Sequence, residues 1–179
     1  MLEGLLRTLQ RQRTDGLFTY SILVVDNDND QSALAVVESV RAEGGRPIAY
    51  CVAAEKNVAV ARNAAVQNAC GDFIAFIDDD ETPSDRWLLN LVETQVAYGS
   101  DGVLGPVKPV FDVAPPDWIV KARLFERPSY PTGTVLPWNH TRTGNVLLRR
   151  AIFDDRANLF NPAFKHSEDR DFFRRMIAK

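Results

Sequence analysis

Four consecutive carboxylates, Asp78, Asp79, Asp80 and Glu81, stand directly after the apolar run FIAFI, Phe73 to Ile77. Two carboxylates about 4 Å apart repel by about 4 kcal/mol at an effective dielectric near 20. A divalent cation turns that repulsion into binding energy. Hard oxygen donors suit Mn2+ or Mg2+, with coordination positions left for phosphate oxygens. The plainer alternative is a solvated acidic loop before a helix N-terminus, where negative charge is favoured anyway. Two further clusters have comparable chemistry. Asp26-Asn27-Asp28-Asn29-Asp30 closes the apolar run ILVV, and Glu168-Asp169 opens the segment SEDRDFF.

The elements that must position these groups follow from periodicity. LEGLLRTLQRQ places Leu2, Leu5, Leu6 and Leu9 on one helical face. TYSILVVD, RPIAYCVAA and DFIAFIDDD are short and rich in apolar and β-branched residues, as buried strands are. QSALAVVESVRAEGG, NVAVARNAAVQNACG and SDRWLLNLVETQVAYG are expected helices, ended by Gly44-Gly45, Gly71 and Gly99, with Ser84 as the N-cap of the third. Alternating strands and helices predict an α/β fold, a mostly parallel sheet flanked by helices. In such sheets ligands bind beyond the carboxyl ends of the strands, which is where the acidic clusters fall.

The second half has a different texture. DGVLGPVKPVF is expected to be a strand interrupted by prolines. Residues 114–139 carry Pro115, Pro116, Pro128, Pro131 and Pro137, and form a long excursion expected to cap the site. TGNVLLRR is a further strand candidate, and SEDRDFFRRMIAK a final helix with Ser167 as N-cap. Trp118, Tyr130 and Trp138 in the excursion either stack on a bound ligand or simply pack. His140 and His166 are further candidates.

The chain of 179 residues is 45% hydrophobic and 25% charged, with a formal net charge of -3. That composition fits one globular domain with a real core and gives no electrostatic footprint for nucleic acid. No apolar run reaches the roughly 18 residues that span a bilayer, and no signal peptide opens the chain. The expected location is cytoplasmic, compatible with peripheral contact at the inner face of a membrane. Cys51 and Cys70 lie in apolar segments and are expected to be buried thiols.

The order VVDNDN, NVAVARNAA, FIAFIDDDETP, TGNVLLRR and SEDRDFF resembles family 2 glycosyltransferases of the GT-A fold, in particular those of bacterial exopolysaccharide (succinoglycan-type) assembly. The resemblance runs from about Leu2 to Met176. It implies a metal-dependent, inverting transfer of a hexose from a nucleotide-diphosphate sugar, a UDP-sugar favoured, to a saccharide or lipid-linked acceptor. By the resemblance, Asp26 contacts base and ribose with Asn27 and Asp28 as neighbours. Arg62 reaches the nucleotide end of the donor. Asn57 donates to the donor or caps its helix. Asp78-Asp79-Asp80 is the DxD motif, with Asp80 on Mn2+ or Mg2+ and Asp78 on ribose or metal. Glu168-Asp169 is the family's acidic pair, with Asp169 the base that takes the proton of the acceptor hydroxyl.

Asp78-x-Asp80-x-Thr82 also fits the DxDxT pattern of haloacid-dehalogenase-like phosphatases, where the first Asp is a nucleophile. That family carries it on the first strand, whereas two strand–helix units precede it here. The transferase family normally has an additional strand before the first helix, placed between the VVDN and FIAFIDD strands, and continues beyond the acidic-pair helix. The expectation is therefore a single domain over 1–179, shortened at both ends, with a nucleotide-binding half to residue 100 and an acceptor-side half after it. Unpaired strand edges would invite self-association or leave an inactive, oligomerising module.

Overall fold

The computed structural model describes residues 1–53, 55–111 and 113–177. The helix α1 (Leu2–Gln10) is followed by β1 (Ile22–Asp26), α2 (Leu34–Ala42), β2 (Ile48–Val52), α3 (Val58–Asn68), β3 (Phe73–Ile77) and α4 (Trp87–Tyr98). Then come β4 (Gly102–Leu104), the short α5 (Asp117–Ala122), β5 (Asn145–Arg149) and α6 (Glu168–Ile177). Ala54, at the end of the second expected strand, and Ala178 and Lys179, at the end of the last expected helix, lie outside the described residues.

The strands form two hydrogen-bonded units. β1 and β2 pair in parallel, Ile22 opposite Ile48 through Asp26 opposite Val52. β5 lies between β3 and β4 and runs antiparallel to both. Of the mostly parallel sheet expected, β1 and β2 pair in parallel, β3 and β4 run in the same direction, and β5 is the antiparallel strand between them. The reason is where the chain returns. The long excursion leaves and re-enters on the side where β3 ends, and the Asp78 N–H donates to Gly144 O at 3.3 Å. β5 therefore starts beside the end of β3 and runs back along it. Among the described residues no ladder joins β1 to β3.

Side chains rather than a ladder hold the two units together. One core packs Leu5, Leu6 and Leu9 of α1 with Val37 and Val40 of α2, Ile22 and Ile48 of the parallel pair, and Trp87, Leu88 and Leu91 of α4. It extends to Val103 and Leu147 of the antiparallel unit. A second core lies under α3 and α6. Phe160 and Phe172 stack at 4.6 Å and Phe153 and Phe172 at 5.5 Å, all three buried. Aromatic payloads of this size dominate local packing, so they fix the start of α6 against α3 and β5.

Several local expectations are corrected. Ser84 does not cap α4. The N-cap position is Arg86, without a side-chain bond, and the Leu88 N–H is accepted by Gln12 Oε1 at 3.0 Å. Gln12 is 4% exposed, and its Nε2 donates to Ser84 O at 2.7 Å. A buried amide from α1's end thus satisfies the orphan donor that a serine would take locally. α3 ends at Asn68 with Ala69 extended, before Gly71. Gly99 does close α4, left-handed at φ 59. β4 stops at Leu104 because Pro106 and Pro109 cannot donate to a ladder. Ser167 is left-handed at φ 61 rather than extended as a capping serine is, although its carbonyl does accept from the Asp171 N–H at 3.2 Å. Cys51 is only half-buried and Cys70 is exposed, because it lies in the α3–β3 turn.

Gln12→Ala removes the two side-chain bonds at the start of α4, and should lower unfolding free energy by about 1–2 kcal/mol in urea titrations. Exposed Gln67→Ala is the control and should change it by less than about 0.5 kcal/mol.

Candidate functional site

A cavity of about 850 Å³ opens where β3, β5, α3 and α6 meet. Asp78, Asp79, Asp80 and Glu81 form one wall, following β3. They are held in a turn in which the Glu81 N–H donates to Asp78 O at 3.1 Å. Glu168 and Asp169 face them from the first turn of α6, and Arg62 reaches in from α3. Arg142, Thr143 and Gly144 enter as β5 approaches, while Arg127 and Tyr130 come from the excursion and His140 from directly after it. Trp138–His140 is a 3-10 turn, and the Arg174 guanidinium of α6 lies 6.0 Å from the Trp138 ring centre. The excursion therefore contributes Arg127, Pro128, Tyr130 and Asn139 to the cavity wall. Tyr130 and His140 stack and share a hydrogen bond. Trp118 is 63% exposed on α5 and is not part of the cavity lining. His166 does line it.

Arg62 links the two acidic motifs. Its Nη1 is paired with Glu168 Oε1, and its Nη2 lies 3.8 Å from Asp78 Oδ1. The guanidinium sits 5.8 Å from the Phe160 ring centre. The neighbouring Asn63 clamps that same residue, donating to Phe160 O at 2.8 Å and accepting from its N–H at 2.9 Å. Burial lowers the Arg62 pKa, and the charges of Asp78 and Asp169 oppose that. Glu168 is 6% exposed and engaged by Arg62, while Asp169 is half-buried, lines the cavity and accepts locally from the Arg170 N–H at 2.7 Å. The two members of the acidic pair thus differ. Glu168 fixes the position of α6, and Asp169 is left facing the cavity.

Negative charge is concentrated at the β3 tip. Burial raises the Asp78 pKa above its usual value; Arg62 opposes this, and Asp80, Asp79 and Asp169 add to it. Its side chain nevertheless keeps 52% of its surface open, so water screens part of the repulsion. Glu81 is pushed up to about 7, first by burial and then by Asp78 and Asp80, with Arg142 and Arg127 pulling it down. Gly144 lets β5 pass close to both carboxylates. A Cβ on Gly144 would lie 2.7 Å from Asp78 Oδ2 and 2.9 Å from Glu81 Oε1, displacing both carboxylates.

The site residues expected near the nucleoside end have local partners. Asp26 is 6% exposed and accepts from the Asp28 N–H, the Ala33 N–H and the Tyr50 hydroxyl, each at 2.9 Å. Burial would raise its pKa, but these three bonds together hold it below 3.8. Tyr50 is pushed up to about 12 by burial and by donating to Asp26. Asp26 thereby shapes the loop carrying the half-buried Asn27 and Asp28, and none of the three lines the cavity. Asn57 caps α3, accepting from the Ala59 N–H at 2.9 Å, and its Nδ2 donates to Pro162 O at 3.0 Å. Asn63, Arg127, Arg142 and Gly144 were not singled out from the sequence, and Glu81 was read only as a member of the acidic run. Of these, the acidic run and the glycine of TGN were the only visible signals.

Among the described residues there is no preformed group of three or more His, Cys, Asp or Glu for a metal. The exposed carboxylates at the β3 tip still suit a hard cation, because Mg2+ and Mn2+ are usually held by one or two carboxylates, with substrate phosphates completing the shell. No helix among the described residues is long and apolar enough to cross a membrane.

Residues 1–157 match the model of a family described as glycosyl transferase family 2. The chain belongs to that family. The family 2 assignment sets aside the phosphatase reading of Asp78-x-Asp80-x-Thr82. The succinoglycan biosynthesis protein ExoM of Rhizobium meliloti (strain 1021) is 37% identical over 178 residues, covering 94% of this chain and 54% of that protein. The fold is that of S. aureus TarS. Its fragment 1–349 superimposes with a TM-score of 0.71 at 21% identity, covering 96% of this chain and 50% of that one. The same fragment in complex with UDP-GlcNAc gives 0.72 at 21% identity, covering 96% and 48%. The chain thus spans about half the length of ExoM and of the TarS fragment.

Two outcomes are expected. Arg62→Ala leaves Glu168 buried without its partner and should cost about 3–5 kcal/mol in denaturant unfolding, whereas Arg62→Met with Glu168→Met together should recover most of it. Asp26 is stabilising above its unfolded pKa near 3.9, and that contribution is lost as pH falls through its lower folded value. The stability gap between wild type and Asp26→Asn, measured by urea midpoints, should therefore be constant from about pH 7 to 5 and shrink below about pH 4.

Proposed function

We propose that this chain is the donor-binding and catalytic part of a hexosyltransferase of polysaccharide assembly. It moves a hexose, with inversion, from a nucleotide-diphosphate sugar to a saccharide or lipid-linked saccharide acceptor. The observation that carries this reading is the meeting of Asp78–Asp80, Arg62 and Asp169 in one cavity. The likeness to ExoM supports exopolysaccharide assembly as the setting. TarS has been solved with UDP and with UDP-GlcNAc, which favours a UDP-sugar as donor.

The chemistry asked of these residues is a single displacement. The acceptor hydroxyl oxygen attacks the anomeric carbon, Asp169 takes its proton, and the bond from that carbon to the diphosphate oxygen breaks. Asp80 and Asp78 are the residues that would hold a Mn2+ or Mg2+ ion, which would supply positive charge for the departing diphosphate. Arg62 and Glu168 keep Asp169 opposite the β3 tip, and Gly144 lets β5 approach without displacing Asp78. The loop built on Asp26, with Asn27 and Asp28, borders the nucleoside. A stable multimer without nucleotide affinity is the competing account, and it would leave the unpaired β1 and β3 edges as the chain's working surface.

Calorimetry with UDP in the presence of Mn2+ separates them. Wild type should bind, Asp80→Ala should not, and Asp169→Asn should bind normally while losing roughly 100- to 10,000-fold in transfer rate. No UDP binding by wild type, or equal binding by Asp80→Ala, would contradict the transferase reading.

A further inference from the structure

Positive charge in the cavity is divided unevenly. Arg62 is matched by Glu168 and Asp78. Arg142 and Arg127, on the wall formed by β5's approach and the excursion, have no carboxylate within 4.0 Å among the described residues. Arg142 is half-buried, its Nε is shut off from water without a partner, and its Nη2 makes one long bond, 3.4 Å, to Gly105 O. The next residue repeats the pattern. Thr143 is 1% exposed, and its hydroxyl also lacks a partner. Each guanidinium lies in the other's field, and burial and Arg127 both lower the Arg142 pKa.

A desolvated cation with an unmatched N–H, beside a second cation, is costly to the folded chain unless something else offsets it. Glu81 and Asp169 oppose the cost at a distance. Neither lies at ion-pair range, so among the described residues no anion is matched to the two guanidinium groups that line the cavity. Paired guanidinium groups of this kind suit an oxyanion, above all a phosphate that can take bidentate hydrogen bonds. The surrounding carboxylates would otherwise repel such a group.

We propose that Arg127 and Arg142 form a binding site for a phosphate-type oxyanion of the substrate, separate from the carboxylate locus at the β3 tip. The group comes either from the donor's diphosphate or from a phosphate carried by the acceptor. Oxyanion binding itself does not depend on the transferase reading, whereas the assignment of its source rests on it.

The test is a thermal-shift titration of the full chain with sodium phosphate, without metal or nucleotide, against sodium chloride at matched ionic strength. Wild type should be stabilised by phosphate beyond chloride. Arg142→Gln should weaken phosphate binding roughly tenfold, Arg142→Lys should restore only part because the fork is lost, and Arg127→Gln should weaken it severalfold. Arg127 is exposed, so its variant keeps the test open if Arg142→Gln folds poorly. Equal response to phosphate and chloride, or wild-type phosphate affinity in both glutamine variants, would overturn the proposal. Repeating the titration with saturating UDP and Mn2+ identifies the source. Competition assigns the site to the donor's diphosphate, and simultaneous binding assigns it to the acceptor. Because the first titration contains neither UDP nor Mn2+, its failure leaves UDP binding through Asp80 standing, and the reverse holds too.

Discussion

The pairing of Arg62 with Glu168 is the constraint on which the site depends. It joins the second turn of α3 to the first turn of α6, more than a hundred residues apart in sequence. Asp78 joins the same guanidinium from the end of β3. Buried ion pairs contribute little net stability, because desolvation offsets their attraction. Their value here is positional. With Glu168 held by Arg62, the adjacent Asp169 is turned toward the acidic tip of β3. The stacked rings of Phe153, Phe160 and Phe172 keep α6 from sliding, and Asn63 ties Phe160 to α3.

The sheet shows how little the site needs from a continuous ladder. β1–β2 and β3–β5–β4 are separate hydrogen-bonded units, bridged by the side chains of α1, α2 and α4. The cavity is built almost entirely on the antiparallel unit, α3, α6 and the excursion. The parallel pair carries Asp26 and its loop outside the cavity wall. Among the described residues, β1 and β3 have no ladder partner on the side of the break.

The element order and the main acidic groups were legible because they rest on local patterns. Apolar runs ending in Asp78 or Asp26 mark strand tips, and alanine-rich or leucine-spaced segments mark helices. What was not legible depends on distant partners. Gln12 caps α4 across 76 residues, and no local signal distinguishes that from the serine expected there. The roles of Gly144 and Arg142 follow from β5 returning antiparallel beside Asp78, which strand propensity does not reveal. Asp26 was visible as a strand-end carboxylate, but its engagement by Tyr50 and the Ala33 N–H depends on strand pairing and loop closure. Glu81 was in plain view, yet its raised pKa comes from burial and crowding that only the folded cavity supplies.

The central claim is that acidic side chains from separate elements converge on one cation-binding locus. Paramagnetic broadening of backbone amide resonances by Mn2+, in the presence of UDP, tests it most directly. The account predicts strong broadening around Asp78–Glu81, Gly144 and Asp169, with α5 unaffected. Broadening confined to another surface, or spread evenly along the chain, would contradict it.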